Sequence, residues 1–574
     1  MDKYDGAEAF IEVLNAYGVE HIFFNPGGEQ GALLATIAKY RLLGKPCPRL
    51  ILCLDESVAL TAAHGHYMIS GRPQFVMVHS ELGTLQLGGA LHNAQWGRVP
   101  VILWAGAQAV GQRVNWKGEP YDQGMSMRNC VKWDYTIQSG ENIHDVLGKA
   151  FDIAFTEPCG PVYLCFPRDL ITEKIDRAAL TEFSKSAVSK APPVDAATLE
   201  KVAATLIEAE NPLIVAGYTG RYPESVAKLV ELAETLCAPV MTGPVYMNFP
   251  TEHPLCAGIE QIMGSKSRNP AILSEADVIL AIDYDVPYVP APGAPKAEAN
   301  IIQFDIDPLT AGRPLWGRGA NTYIDADSRQ VIPALTAAIR NKLTPEKTAQ
   351  LKERYTRLET GHIKLREQQR QEALNMAQQR PISPDWVCHC INELIDEETI
   401  LLHHTISHFA SATEQIPRTR PGTQMTCPAG SIQWALGAAL GAKVAAPDKL
   451  VVSIMSDGGY VWSAPVASLW PAVSYKAPFL SVIMNNQSYG FIKLLVERSY
   501  GEGSIPDRMA FEAGVDIAPP ADYAAIAEAC GAWGRTVTDP DDVLPVLKEA
   551  IKHVRNGRPA VVDMRLERDV RSVM

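Results

Sequence analysis

Hydrophobic positions along the chain follow two spacings in alternation. Short apolar, β-branched runs bounded by Gly, Pro or polar clusters read as buried strands, and between them apolar residues recur at helical intervals. In the first third this predicts a helix near 7–17, strands at 21–24, 49–54 and 74–79, helices over 57–70 and 84–96, and strands at 100–106 and 160–166. Strand and helix in strict alternation make a parallel sheet wound on both faces. A Pro- and Ala-bearing stretch near 185–197 ends the unit, and the pattern resumes with strands at 212–217, 277–283 and 300–306, the last leading to Asp305 and Asp307. The piece from about 343 to 380 is strongly charged at helical spacing and reads as a solvated linker helix. Ser383-Pro384-Asp385 then caps a new helix, and strands at 398–404, 449–455, 479–484 and 559–564 build a third unit. The expected fold is α/β, with three doubly wound parallel-sheet domains at 1–185, 195–340 and 383–574 and a helical linker at 341–382.

Composition narrows the function. Of 574 residues, 47% are hydrophobic and 20% charged, which is ordinary for a globular chain long enough for several cores. A net charge of -13 argues against nucleic acid or an anionic membrane as partner, since either needs a basic face. No apolar run approaches the length of a spanning helix, and Met1-Asp2-Lys3-Tyr4-Asp5 leads into an amphipathic helix without a signal-peptide pattern. The cytoplasm is the expected compartment. The eleven cysteines are scattered, and the nearest pair, Cys388 and Cys390, has neither zinc-ribbon nor CxxC spacing, so free thiols are expected.

Candidate chemistry concentrates between Val451 and Gly490. A buried strand breaks at Ser456-Asp457-Gly458-Gly459 and resumes as an amphipathic helix, and a second strand ends at Asn485-Asn486. Glycines let backbone approach a phosphate, the helix start supplies free N–H groups, and Asp457 offers a hard carboxylate to Mg2+. Asparagine and loop carbonyls are also Mg2+ ligands, so two strand ends facing one crevice could share a metal and its diphosphate. The same residues also fit an ordinary strand-to-helix loop.

An acid in a glycine turn, about thirty residues, then Asn-Asn: this pattern resembles the diphosphate and magnesium motif of thiamine diphosphate-dependent enzymes of the acetolactate synthase and benzoylformate decarboxylase group. The resemblance implies Asp457, the Asn486 side chain and the Ser488 carbonyl as metal ligands, with Gly458, Gly459, Tyr489 and Gly490 at the cofactor. Ser456 stands where that family usually has Gly. The likeness extends over nearly the whole chain, making the three units a pyrimidine-binding, a middle and a diphosphate-binding domain.

Further motifs match the same family. Asp55 and Glu56, directly after a strand, read by themselves as acids favoured at a helix N-terminus. By resemblance Glu56 is the carboxylate that activates the aminopyrimidine of the cofactor. His79 and Ser80 end another strand, and Val-His-Ser followed by Gly-Thr looks like the benzoylformate decarboxylase loop, which carries an active-site histidine at the place of His79. Imidazole titrates near neutrality and could move a proton at the substrate. Asn25-Pro26-Gly27-Gly28 is a tight turn in any protein, and it resembles the loop that lies over the reactive carbon of the cofactor. Glu29 and Gln30 occupy its substrate side, and Gln108 resembles a glutamine that closes this region in acetolactate synthases. Gly430 and Ile432, before an Ala/Gly-rich helix, would receive the aminopyrimidine and bend the cofactor, although Gln433 stands where many relatives have Gly. The histidines at 403, 404 and 408 invite a metal reading, but alternate strand residues face opposite ways. By resemblance Ser407 and His408 meet the diphosphate instead.

The implied cofactors are thiamine diphosphate and Mg2+. FAD is possible but unsupported, because no complete G-x-G-x-x-G follows a strand in the middle unit: Gly217 and Gly220 fall short. Glu56 lies about four hundred residues before Asp457, and the resemblance implies a homodimer or homotetramer with active sites at the subunit interface. The implied reaction makes or breaks a C–C bond beside a carbonyl of a small 2-oxo acid or hydroxyketone. An acetolactate synthase-like carboligase is the first expectation. A 2-oxo acid decarboxylase or hydroxyketone lyase is the alternative, and His79 favours it.

Overall fold

The computed structural model describes residues 4–115, 122–176, 193–259, 270–285, 294–309 and 319–568. Three parallel sheets of six strands organise them. The first contains β1 His21–Phe24, β2 Arg49–Leu52, β3 Gln74–Val78, β4 Val101–Ala107, β5 Trp133–Thr136 and β6 Val162–Pro167, in the order β2-β1-β3-β4-β6-β5. The second contains β7 Pro212–Ala216, β8 Val240–Thr242, β9 Cys256–Ile259, β10 Val278–Ile282, β11 Asn300–Asp305 and β12 Thr322–Asp325, in the order β12-β11-β10-β7-β8-β9. The third contains β13 Ile400–His404, β14 Gln424–Thr426, β15 Val451–Ser456, β16 Leu480–Asn485, β17 Trp533–Val537 and β18 Ala560–Arg565, in the order β14-β13-β15-β16-β18-β17. The first and third sheets therefore share one topology. In both, strand order reverses between the first and third strands of the unit, and a crevice opens there at the carboxyl ends. These ends carry the candidate residues: Asn25–Gln30 after β1, His79 after β3, Ser407 and His408 beyond β13, and Asp457 after β15.

The near-continuous apolar strands are buried on both faces, as parallel sheets require. Phe23, Val76 and Val78 point into one core and Ile22, Phe24, Phe75 and Met77 into another, following the two-residue period of a strand. The first of these cores is continuous from the first domain into the third, running through Val58, Ala62, Trp434, Ala438 and Leu440. Its centre is the packing of helix Glu56–Ser70 on helix Ala435–Ala445. Three glycines let the two backbones touch: a methyl on Gly441 would lie 1.8 Å from the Ala62 carbonyl oxygen, one on Gly65 2.2 Å from that of Ala438, and one on Gly437 1.9 Å from Thr61 Oγ1. Glu56, at the start of this helix, is thus carried on a rigid element seated on the third domain.

Several expectations change. The helix expected over 84–96 is two, Glu81–Gln86 and Gly88–Trp96, because Gly88-Gly89 follows Leu87 at the junction and Gly89 lies against Ser431 of the third domain. Strands β5, β8, β9, β12, β14 and β17 are absent from the sequence pattern: all but β8 lie at sheet edges, and β8, an interior strand, has only three residues, as does β14. The charged segment forms one helix, Pro345–Asn375. Although mostly exposed, it bridges two domains: Arg354 donates to the Ala209 carbonyl at 3.0 Å, and the Gln369 carbonyl accepts from Gln415 Nε2 at 2.8 Å. The segment expected to close the first domain, near 185–197, lies largely outside the described residues.

The middle sheet has its own reversal point, between β7 and β10. Protein side chains fill its carboxyl end. Arg98, reaching over from the first domain and 2% exposed, places its guanidinium 2.6 Å from Asp285 and 3.0 Å from Asp305, above the Tyr218 ring. Gly217 is pressed against the Asp283 carbonyl and Tyr284.

Candidate active site

Two half-sites take shape, one on the first sheet and one on the third. In the first, Asp55 caps helix Glu56–Ser70 by accepting from Ser57 and Val58 N–H, which leaves Glu56 free of capping duty. Glu56 is 8% exposed, and no described residue hydrogen-bonds its carboxylate. A mostly buried acid without a protein partner is costly unless a ligand supplies one. Gly83, in helix Glu81–Gln86, covers it: a methyl there would lie 2.8 Å from Glu56 Oε1 and 3.2 Å from His79 Cβ. Glu56 and His79 therefore flank one small residue.

His79 extends from the end of β3 with about a third of its side chain exposed, and its Nδ1 lies 2.9 Å from Glu29 Oε2. Glu29 belongs to the single 3-10 turn Gly28–Gln30 that follows Asn25-Pro26-Gly27. Gln30 is fully buried, and its carboxamide is committed: the oxygen accepts from Gly27 N–H at 2.8 Å and the nitrogen donates to the Val78 carbonyl. It fastens the turn to the strand that ends at His79. Gly106, on β4, backs Glu29 from the other side, and Gln108 stands half-buried just past the end of that strand. The turn residues Asn25 to Gly28 remain partly or fully exposed above this group.

In the second half-site, helix Asp457–Trp462 starts at the end of β15, and its cap is Ser456, whose Oγ accepts from Gly459 N–H at 3.1 Å. The departure from the family's Gly thus has a local use. Asp457 Oδ1 accepts from Gly458 N–H at 2.8 Å and Oδ2 from Gln487 N–H at 2.7 Å, tying the glycine turn to the strand end carrying Asn486. Burial pushes the Asp457 carboxyl up to about 6, against the pull of those two N–H groups. Gln487 takes a left-handed backbone, φ 58°, which reverses the chain between Asn486 and Ser488. Asn486 Oδ1 accepts from Ser488 N–H at 3.3 Å, while its buried Nδ2 has no partner among the described residues. The Tyr489 ring covers Gly458, and Gly490 begins the next helix. The Ile432 carbonyl oxygen lies 3.4 Å from where a methyl on Gly459 would sit, so the Gly430–Ile432 loop adjoins the same turn. Ser407 and His408 precede helix Phe409–Gln415, with His408 at its cap position. His403 packs on Phe409 and His404 on Trp434, and no group of three metal-binding side chains is present among the described residues.

These donors fit a magnesium-held diphosphate: one hard carboxylate, one amide, one loop carbonyl and two residues without side chains where a phosphate would approach. The orphaned Glu56 carboxylate fits the ring end of the same cofactor. Two contacts have no local signal in the sequence, that of Asn93 with the Ser431 loop and that of Glu29 with His79. Asn93 donates to the Ser431 carbonyl at 2.9 Å and accepts from Ser431 N–H at 3.3 Å, joining the first domain to the loop that carries Ile432. Glu29 reads in the sequence as a substrate-side residue of the turn, with nothing to pair it with His79. Both contacts cross long sequence distances, so only the fold reveals them.

Three family models match in order along the chain: the thiamine pyrophosphate enzyme N-terminal TPP binding domain over residues 4–127, the central domain over 199–335 and the C-terminal TPP binding domain over 407–564. Benzoylformate decarboxylase of Pseudomonas aeruginosa is 26% identical over 564 residues, covering 97% of this chain and 98% of that protein. A probable acetolactate synthase large subunit of Methanocaldococcus jannaschii is 28% identical over 573 residues, covering 95% and 90%. A sulfoacetaldehyde acetyltransferase of Rhodobacter capsulatus is 25% identical over 586 residues, covering 98% and 94%. The solved thiamine diphosphate-dependent 4-hydroxybenzoylformate decarboxylase of Rhodococcus jostii superposes with a TM-score of 0.80 at 23% identity, covering 99% of this chain and all of that one, and so has the same fold. Three matched domains and full-length likeness to these relatives place the chain among the thiamine pyrophosphate enzymes, in the group of acetolactate synthases and benzoylformate decarboxylases.

Proposed function

We propose that the protein decarboxylates a small 2-oxo acid, using thiamine diphosphate held through Mg2+, and releases the corresponding aldehyde. The observation that carries this reading is the imidazole of His79, about a third exposed, with Gly83 packed against both it and Glu56. When bound, the cofactor supplies a carbon nucleophile for the substrate carbonyl and a sink for the electrons of the broken bond. Glu56 would hold the pyrimidine end and exchange a proton with its ring nitrogen. Asp457, Asn486 and the Ser488 carbonyl would hold Mg2+, with Gly458 and Gly459 letting the diphosphate approach and Ile432 shaping the cofactor between its ends. His79 would move a proton at the former carbonyl of the substrate, which is the step that completes an aldehyde. Gln30 serves by fixing the turn. A carboligase, which transfers the fragment to a second carbonyl instead, is the second reading, favoured by Gln108 at the cleft end of β4.

The site would be completed by a second copy of the chain. Large apolar side chains stay exposed beside both halves: Leu54, Leu82 and Leu85 near Glu56, and Val461, Trp462, Val466 and Trp470 along the helices that follow Asp457. Such a patch on each half of one site is what a homodimer would cover.

Incubation with thiamine diphosphate, Mg2+ and a panel of 2-oxo acids tests the chemistry. Carbon dioxide with stoichiometric aldehyde supports the decarboxylase, carbon dioxide with ketols the carboligase, and no turnover of any 2-oxo acid refutes both. Mixing E56Q and D457N chains tests the shared site: exchange of subunits should restore about a quarter of wild-type activity at equal amounts, since half the dimers would hold one intact site of two. Absence of recovery after verified exchange would refute it.

A further inference from the structure

The reaction outlined above gives Glu29 no part, yet the fold devotes much to placing it. Its side chain is 3% exposed, and His79 is its hydrogen-bond partner. Two glycines make the room. A methyl on Gly27 would lie 2.1 Å from both Glu29 Oε2 and His79 Nδ1, and one on Gly106 would lie 2.4 Å from Glu29 Cβ. Gln30, the next residue, clamps the turn to Val78, the residue before His79. Carboxylate and imidazole are thus held on two backbone segments that are themselves tied together.

We propose that Glu29 is a positioning residue that fixes the tautomer and orientation of His79, on the reading that His79 moves the proton at the substrate. An ionised carboxylate can only accept, so the bond at Nδ1 requires the imidazole proton there. Nε2, at the far side of the ring from the buried carboxylate, is then left with its lone pair for the cleft. When Nε2 takes up a proton, the carboxylate on Nδ1 faces the cation that forms. The other acids around His79 are Glu56, across Gly83, and Glu81, two residues along the chain, and neither hydrogen-bonds the ring among the described residues. A charge-assisted bond of this kind biases one tautomer over the other by about 10- to 100-fold.

The full-length protein without cofactor, carrying ring-15N histidine, provides the direct readout, with the His79 signals assigned by their loss in H79N. Above the titration range of the ring, His79 should show a protonated Nδ1 and an unprotonated Nε2. Finding the proton on Nε2 in the wild-type protein overturns the proposal without any variant. In E29A the two nitrogens should move toward an averaged state, whereas in E29Q the carboxamide oxygen can still accept from Nδ1 and the signature should persist. An unchanged signature in E29A also overturns it. In turnover, E29A should lower kcat by about 10- to 100-fold with KM and cofactor affinity within about twofold, and E29Q should recover part of the loss. E29A should add nothing in an H79A background, and a further drop there would mean that Glu29 acts independently. Full activity of H79A would instead refute the proton-moving role of His79 while leaving the tautomer result intact, so the two failures are distinguishable.

Discussion

Replacing Glu56 by Gln separates folding from chemistry. The carboxylate is 8% exposed and receives no hydrogen bond from a described residue, so no part of the fold depends on it. Asp55, not Glu56, caps the helix, and the interdomain packing begins at Val58 and Thr61. Gln keeps the volume and breaks no contact to a described residue, which should leave stability within about 1 kcal/mol of wild type. For domains of this size that is a shift of about 2–4 °C at most. Activity should respond in the opposite sense. Gln can neither take nor give the proton at the pyrimidine, and loss of such a group lowers turnover by about 10²- to 10⁴-fold, or about 2.7–5.4 kcal/mol of barrier. Thermal unfolding without cofactor and steady-state turnover with saturating cofactor read the two effects separately. Wild-type turnover in E56Q, or a fall in melting temperature of several degrees, would refute the reasoning.

Asp457 should govern retention of the metal: D457N, losing the hard carboxylate at the glycine turn, should hold Mg2+ and thiamine diphosphate at least ~10-fold more weakly by calorimetry, or about 1.4 kcal/mol. Its circular dichroism should match wild type. Arg98→Ala would remove the guanidinium that faces the fully buried Asp305 at the junction of the first two domains, costing about 3–5 kcal/mol and lowering the melting temperature. Ser456→Ala should cost about 1 kcal/mol through loss of the helix cap seen on Gly459, and Ser456→Gly only a few tenths, measured as shifts in thermal unfolding.

Most strands inside the sheets are legible because burial on both faces makes them continuous apolar runs, and the run 21–24 is matched residue for residue by β1, whereas the three-residue interior strand Val240–Thr242 is too short to stand out. Edge strands such as Trp133–Thr136 and the three-residue Gln424–Thr426 carry too little apolar contrast to be read. For the site, strand ends followed by glycine turns marked Asp457 and Asn25–Gly28. What no local pattern could give was pairing. Glu29 meets His79 across β1 and β3, and Asn93 meets Ser431 across two domains. Gln30 shows the converse: its position in a motif loop points to the substrate, and a carboxamide is as well suited to hold backbone, which here it does between Gly27 and Val78. The break of the 84–96 helix falls at Leu87, just before Gly89, which packs against Ser431 of the third domain, a contact across a long sequence distance.

A crystal structure of the protein with thiamine diphosphate and Mg2+ bears most directly on whether a first-domain acid and a third-domain metal site hold one molecule. The account predicts a Glu56 oxygen within about 3 Å of the pyrimidine ring nitrogen. It also predicts Mg2+ at about 2.1 Å from Asp457, Asn486 and the Ser488 carbonyl, bridging to the diphosphate of the same molecule, whichever copy of the chain supplies each half. Cofactor bound with its pyrimidine away from every Glu56, or its diphosphate away from every Asp457, would contradict it.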